Sequence, residues 1–287
     1  MALGVKEILE FIKIEHTLFS LPFVFIGAVF ADEATLLQLF WILIAAIGAR
    51  GLAMALNRII DKEVDAANPR TAQRHLASGT MSMNTALTLS AVFLAMLIFG
   101  AWKLNIVALQ LAWIPVLAFL IYPFLKRKTW ACHLWLGGCL GLAPAGAWLG
   151  IVGSELGWGA ITELYWLPEV LLLSIGVMLW ITAFDFGYSM MDIESDLANG
   201  IHSFSSRFGV ETTVRAAVLL TISWMIILII AQGGWFWTAA CIIMAVMNII
   251  AFTSKKEDMK AFQTRLFRTS VSTGWILLLG LILEMQI

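Results

Sequence analysis

The residues best suited to chemistry are carboxylates spaced one helical turn apart, and the chain has two such sets. The first lies in Asn57-Arg58-Ile59-Ile60-Asp61-Lys62-Glu63-Val64-Asp65; the second contains Asp185, Asp192, Glu194 and Asp196. On a continuing helix Asn57, Asp61 and Asp65 fall at i, i+4 and i+8, along one stripe. Two carboxylates at that distance repel each other unless a cation lies between them. Mg²⁺ suits such a place: it takes oxygen ligands, keeps several waters, and is usually held by one or two carboxylates plus substrate phosphates. Asn57 adds a neutral oxygen. Asp185, Asp192 and Asp196, at i, i+7 and i+11, also return to one helical face, shared with Tyr188 and Ser189. Asp192 and Asp196 repeat the spacing of Asp61 and Asp65, which hints at an internal duplication. Carboxylates at a membrane mouth are costly unless something cationic or functional holds them. With basic residues close behind each set, the pattern suggests divalent metal ions gripping a polyanionic headgroup with a greasy tail, such as a lipid diphosphate.

The elements that must position these groups are membrane helices. The 287 residues are 61% hydrophobic and only 13% charged, with a mean hydropathy of +0.89. A soluble domain has roughly 45–50% apolar and about 25% charged residues, so the composition is that of an integral membrane protein. Crossing the hydrocarbon core takes roughly 20 apolar residues in a helix. Nine segments qualify, near 16–31, 36–58, 83–101, 105–122, 131–151, 167–187, 213–231, 235–252 and 269–286. They are continuous apolar runs, unlike the alternating pattern of a membrane barrel, so the expected fold is all-α. With the N-terminus in the cytoplasm, sixteen Lys and Arg fall on the inner side, Lys255 and Lys256 among them. Only Lys103 lies outside, and Arg50 sits within a segment. This alternation predicts a cytoplasmic N-terminus and both acidic sets on the cytoplasmic face. Residues before position 16 read as an amphipathic interfacial helix rather than a cleaved leader. The segment from Val152 to Trp166 reads as an outer loop with an aromatic belt. No Pro/Ser-rich linker or low-complexity tract divides the chain, so residues 1–287 are read as one domain.

Other residues carry two readings each. Arg50 lies seven residues before Asn57, deep in a segment; it either binds an acceptor's carboxylate or a phosphate bidentately, or pairs with a buried carboxylate between helices. Arg70 and Arg74 follow the turn at Asn68-Pro69 and either contact substrate or serve as ordinary inner-side charge. Lys126, one turn after Tyr122 in Tyr122-Pro123-Phe124-Leu125-Lys126-Arg127, either meets diphosphate oxygens or snorkels beside an interfacial phenol. The four histidines show no metal-ligand spacing, and none is expected to be a ligand. Cys132, Cys139 and Cys241 lie in apolar segments without a C-x-x-C pair and are expected to pack.

The motif N-R-x-x-D-x-x-x-D at Asn57–Asp65, with D-x-x-x-D at Asp192–Asp196, resembles the UbiA superfamily of intramembrane aromatic prenyltransferases. Further segments share the likeness: Asn68-Pro69-Arg70-Thr71 with Ser78-Gly79, Tyr122–Arg127, and Glu15-His16-Thr17-Leu18-Phe19-Ser20-Leu21-Pro22. Within the superfamily the 4-hydroxybenzoate polyprenyltransferases, especially the menaquinone-associated branch, are most similar. One departure is His202-Ser203, where ubiquinone enzymes often carry Lys-Ser. The resemblance implies nine helices around a central cavity open sideways to lipid, in a bacterial-type inner membrane with the site facing the cytoplasm. It implies that Asp61, Asp65, Asp192 and Asp196, assisted by Asn57, bind two Mg²⁺ ions. Arg70, Arg74 and Lys126 would hold the diphosphate with Tyr122 nearby, and Arg50 would lie by the acceptor or the phosphate. Asp65 and Asp192 would be catalytic through the metal, and Asp185 would orient the acceptor or assist proton transfer. The implied partners are a polyprenyl diphosphate, an aromatic acceptor (foremost 4-hydroxybenzoate, in quinone biosynthesis) and membrane lipid, with no nucleic acid.

Rival readings keep the fold and change the acceptor to geranylgeranylglyceryl phosphate, homogentisate, haem or a chlorophyllide. A transporter would instead show ionisable residues at mid-membrane and paired broken helices. A CDP-alcohol phosphotransferase would carry D-G-x-x-A-R, which is absent.

Overall fold

The computed structural model describes residues 4–254 and 258–286; Lys255 and Lys256, expected to be inner-side charge, lie outside them. Every regular element described is a helix. In chain order these are α1 (Val5–Phe11), α2 (Ile14–Val29), α3 (Leu36–Ile60), α4 (Lys62–Ala67), α5 (Met83–Leu104), α6 (Ile106–Leu111) and α7 (Trp113–Leu125). The second half of the chain contributes α8 (Cys132–Leu156), α9 (Gly159–Thr162), α10 (Glu169–Ser189), α11 (Ile193–Ala198), α12 (Phe204–Gln232), α13 (Trp235–Thr253) and α14 (Met259–Glu284). Local chemistry explains several boundaries. Thr35 caps α3 reciprocally with Gln38, the arrangement that satisfies two orphan donors at a helix start. Asn105 accepts from the Ala108 N–H to start α6 while its amide donates to the Leu149 and Gly150 carbonyls of α8.

Among the described residues, eight helices are long and apolar enough to span a membrane, α6 and α7 together making one of them. Large apolar side chains such as Leu36, Leu219 and Ile230 face outward, as expected where lipid replaces water as the solvent. The chain is an integral, multi-pass membrane protein. The first expected span falls on α2, which has 16 residues and so reaches only about 24 Å along its axis. The expected outer loop at 152–166 begins later: α8 continues to Leu156, ending at Gly157 with φ 53°, and Trp166 turns into the interior cavity.

Helix α10 packs between α8 and α12, α3 against α5, and α13 against α14, while α2 bridges α8 and α14. In lipid there is little hydrophobic drive between helices, so close backbone approach over small residues matters more. At Gly27 a Cβ would lie 2.2 Å from the Pro144 carbonyl oxygen, fixing α2 on α8. At Gly137 and Gly141 it would lie 2.3 Å from the Met178 oxygen and 2.6 Å from the Ser174 oxygen, fixing α8 on α10. The main core is aromatic, with Phe19 and Phe23 of α2 centred 4.6 and 4.5 Å from Trp180 of α10. Helices α2, α3, α7, α8 and α10 surround a cavity of about 680 Å³.

Candidate active site

The two acidic sets are built alike up to a point. Asp61 ends α3 and starts α4; Asp192 starts α11. Each short helix holds a second carboxylate four residues on, with the Asp65 N–H donating to the Asp61 carbonyl at 2.8 Å and the Asp196 N–H to the Asp192 carbonyl at 2.7 Å. Upstream they diverge. The Asp61 N–H donates to the Asn57 carbonyl at 2.9 Å, a four-residue bond, and the Asn57 amide meets the Asp61 carboxylate, although Asp61 itself, at φ −97° and ψ 12°, leaves helical geometry and divides α3 from α4. After Ser189 the chain tightens: Met191 and Asp192 donate to Tyr188 and Ser189, three residues back. At 3.0 rather than 3.6 residues per turn, three residues rotate the downstream helix by about 60°. The expected single face of Asp185, Asp192 and Asp196 is therefore broken, with Asp185 in α10 and the other two on a separate helix.

Among the described residues no three acidic, His or Cys side chains converge on a ready metal cage. The carboxylates meet cations instead. Asp61, with no exposed surface, is paired with Lys126, accepts from Arg127 at 3.2 Å and from the Asn57 amide at 3.1 Å. Arg74 donates to both Asp65 oxygens at 2.8 and 2.9 Å. Arg70 grips Asp192 bidentately at 2.8 and 2.6 Å, and the Asn68 amide adds 2.9 Å. This last bridge crosses from the loop after α4 to the start of α11, so it joins the two sets. Asp196 is buried; desolvation pushes its carboxyl up to about 6, against a hydrogen bond from Ser203, with Asp192 adding to the rise. The backbone N–H of His202, where the sequence departs from the Lys-Ser pattern, donates to the Lys126 carbonyl at 2.8 Å.

Four of the expected residues lie in the cavity wall: Arg50, Asn57, Tyr122 and Asp185. Tyr188 joins them, while most of the remaining wall is apolar, with Phe119, Trp148, Trp166, Met178 and Phe184. Pro123 does not break α7, and Lys126 stays one turn after Tyr122, its N–H bonded to the Tyr122 carbonyl at 3.4 Å. The Arg50 Nε is buried without a hydrogen-bond partner, although a buried guanidinium is ordinarily paired.

Three carboxylates paired with cations thus accompany an apolar cavity whose wall holds an Arg50 Nε without a partner, and the chain matches known proteins over nearly its whole length. The UbiA prenyltransferase family model matches residues 20–271. The chain belongs to this family. It is similar to 4-hydroxybenzoate octaprenyltransferases, at 28% identity over 251 residues for that of Alkalilimnicola ehrlichii (83% of this chain, 78% of the relative). That of Coxiella burnetii is 28% identical over 243 residues, covering 82% of this chain and 79% of the relative. An apo UbiA homologue from Aeropyrum pernix K1 superposes with a TM-score of 0.82 at 30% identity, over 95% of this chain and 98% of that one. A UbiA homologue from Archaeoglobus fulgidus bound to GPP and Mg²⁺ shares the fold, with a TM-score of 0.68 at 15% identity over 94% and 99% of the two chains.

Sequence reasoning missed two residues at this UbiA-type site. Arg127 looked like ordinary inner-side charge, yet it contacts Asp61 and the Ile60 carbonyl. His133 was set aside for lack of ligand spacing, yet its Nδ1 lies 2.6 Å from an Asp185 oxygen. A signal for the second was present: His133, Gly137 and Gly141 fall at i, i+4 and i+8, one face that small residues allow to approach a neighbour. Arg58, also counted as inner-side charge, is only 2% exposed and lies 5.2 Å from the centre of the Phe11 ring.

Proposed function

We propose that the protein transfers a polyprenyl group from an isoprenyl diphosphate to an aromatic acceptor bearing a carboxylate, with 4-hydroxybenzoate the foremost candidate, in a Mg²⁺-dependent reaction. The observation that carries this reading is Arg50, in the wall of the apolar cavity, whose buried Nε has no hydrogen-bond partner. A planar carboxylate is the ligand that fits a guanidinium fork best. The names of the relatives, 4-hydroxybenzoate octaprenyltransferases, support the same acceptor, and the GPP- and Mg²⁺-bound homologue supports the same donor class and metal.

The residues at the mouth suit a hard divalent cation. Asp61, Asp65, Asp192, Asp196 and Asn57 offer only carboxylate and amide oxygens, the donors that select Mg²⁺ over softer metals. Bound there, two Mg²⁺ ions would supply Lewis-acid neutralisation of charge on the departing diphosphate. The chain's own residues do the rest. Arg70, Arg74 and Lys126, now on carboxylates, transfer their bonds to diphosphate oxygens when it arrives. Tyr122 lines the passage between mouth and cavity. As the allylic C1–O bond breaks, its electron pair leaves on the diphosphate oxygen, and the apolar wall keeps water from the allylic cation. The acceptor ring, held by Arg50, forms the new C–C bond, and Asp185 takes the proton from that ring carbon. The whole chain acts as one domain, and the site opens to the cytoplasm.

An assay in membranes with geranyl diphosphate and 4-hydroxybenzoate, with Mg²⁺ and with EDTA, tests the reading. A Mg²⁺-dependent prenylated product, lost in Asp65→Ala and Asp192→Ala, is expected. Metal-dependent diphosphate release only with homogentisate, geranylgeranylglyceryl phosphate, haem or a chlorophyllide would replace the acceptor. Absence of transfer with every acceptor would sink the enzyme reading.

A further inference from the structure

The pair of buried His133 and half-buried Asp185 is used by nothing in that scheme beyond the carboxylate itself. His133 is 5% exposed, at the first turn of α8, and both of its ring nitrogens are engaged. Nε2 lies 3.0 Å from the backbone nitrogen of Phe204. A backbone N–H can only donate, so Nε2 accepts and carries no proton. The ring proton is then on Nδ1, which donates to Asp185 Oδ2 at 2.6 Å. Phe204 is the first residue of α12, where a backbone N–H has no partner within its own helix. The imidazole supplies that partner.

The ring is also fixed sterically. Phe186 meets it edge-on, with centroids 5.2 Å apart at 90°, and Phe186 stacks on Phe204 at 4.1 Å. The close approach at Gly137 and Gly141 sets the distance between α8 and α10 on the same helical face. Thr182, one turn before Asp185, bonds to the Met178 carbonyl at 2.7 Å and reaches the His133 carbonyl at 3.4 Å. Asp185 is thus held from one side by a donor whose tautomer is set by a third helix.

We propose that His133 is the positioning residue for Asp185: locked as the Nδ1–H tautomer by the Phe204 amide, it commits Oδ2 and presents Oδ1 to the acceptor in the cavity. This rests on the prenyl-transfer reading of the site. In the proton step the aryl C–H bond breaks, its electrons restore the aromatic ring, and the proton ends on Asp185 Oδ1. His133 does not take that proton onward, because Nδ1 already carries one and Nε2 is occupied. The proton leaves Asp185 through the cavity mouth, to water or to the departing diphosphate. A direct partner that orients a reacting group gives strongly non-additive mutational effects with it.

The test is a double-mutant cycle in membranes with geranyl diphosphate and 4-hydroxybenzoate. His133→Ala is expected to lower kcat about tenfold or more with the diphosphate KM within about twofold. His133→Asn, whose amide nitrogen stands where Nδ1 stands, is expected to return kcat to within about threefold of wild type. In an Asp185→Asn background His133→Ala should have no further effect. Multiplicative losses, or a raised diphosphate KM with kcat unchanged, would overturn the proposal. Nitrogen NMR of the ¹⁵N-histidine-labelled protein gives a readout independent of turnover. One resonance pair, absent from His133→Asn and perturbed by Asp185→Asn, should report a protonated Nδ1 and a bare Nε2; a protonated Nε2 refutes the lock. If wild-type protein transfers no prenyl group to any acceptor, the functional reading and the kinetic role fall together, and NMR decides whether the lock itself exists.

Discussion

The short helices α4 and α11 are near copies: an aspartate at the N-cap, a second four residues on, six residues in each. Their settings differ. Asp61 follows α3 through a four-residue backbone bond to Asn57, and Asp61 and Asp65 are almost fully buried and meet three cations. Asp192 and Asp196 follow a tightened turn, and their one ion-paired member is held by Arg70, from the loop after α4. The first set therefore has cations on both carboxylates, whereas in the second only Asp192 has one, from Arg70 beside the Asn68 amide, and Asp196 is met by Ser203. The comparison teaches that identical spacing fixes which carboxylates can share a cation, and the surroundings fix how firmly each is held.

That contrast can be broken in measurable ways. The largest effect is expected from Asp65→Ala and Asp192→Ala. Each should lower prenyl transfer about 10³-fold, in line with several kcal/mol of leaving-group stabilisation; retention of activity by either alone would show the two sets to be unequal in catalysis. Stability should separate them differently. Asp61→Ala leaves Lys126 and Arg127 facing a buried gap and should cost about 3–5 kcal/mol, as for other broken buried pairs, read as a lowered Tm in detergent. Asp192→Ala, at the more exposed bridge, should cost clearly less.

Arg50→Lys should raise the acceptor KM about tenfold and leave the diphosphate KM unchanged, because an ammonium cannot reproduce the two-pronged contact. Equal changes in both would move Arg50 to the phosphate. Arg70→Lys should raise the diphosphate KM by a similar factor of about ten. The smallest effect concerns pH. The Asp196 carboxyl, raised to about 6 from an ordinary 3.8, binds its proton more tightly in the folded protein. Its contribution to stability is full below about pH 4 and is lost as pH rises through about 6. Asp196→Asn should thus raise the Tm of metal-free protein most at pH 7.5, less at pH 5, and change it little below about pH 4; an equal rise at pH 7.5 and below pH 4 would argue against burial as the cause.

The sequence by itself determined the class of molecule and most of the chemistry. Long apolar runs must become helices in lipid because unpaired backbone groups are too costly there, and the four-residue spacing of Asp61, Asp65, Asp192 and Asp196 survives in any helix. The basic residues near those motifs were also visible, although Arg127 and Arg58 were read only as inner-side charge, because charge on an inner loop has a sufficient explanation without the carboxylate contact of Arg127 or the burial of Arg58.

Only the tertiary structure decided which cation meets which carboxylate, since Arg70 and Asp192 are 122 residues apart. It decided that the face through Asp185 is interrupted after Ser189, because three-residue and four-residue turns are both open to the same local sequence. It also decided that His133, a lone histidine in an apolar helix, is bonded on one side to Asp185 of α10 and on the other to the first amide of α12. Contacts between helices depend on how closely their backbones approach, and the glycines at 137 and 141 reveal that distance only once the neighbour they face is known.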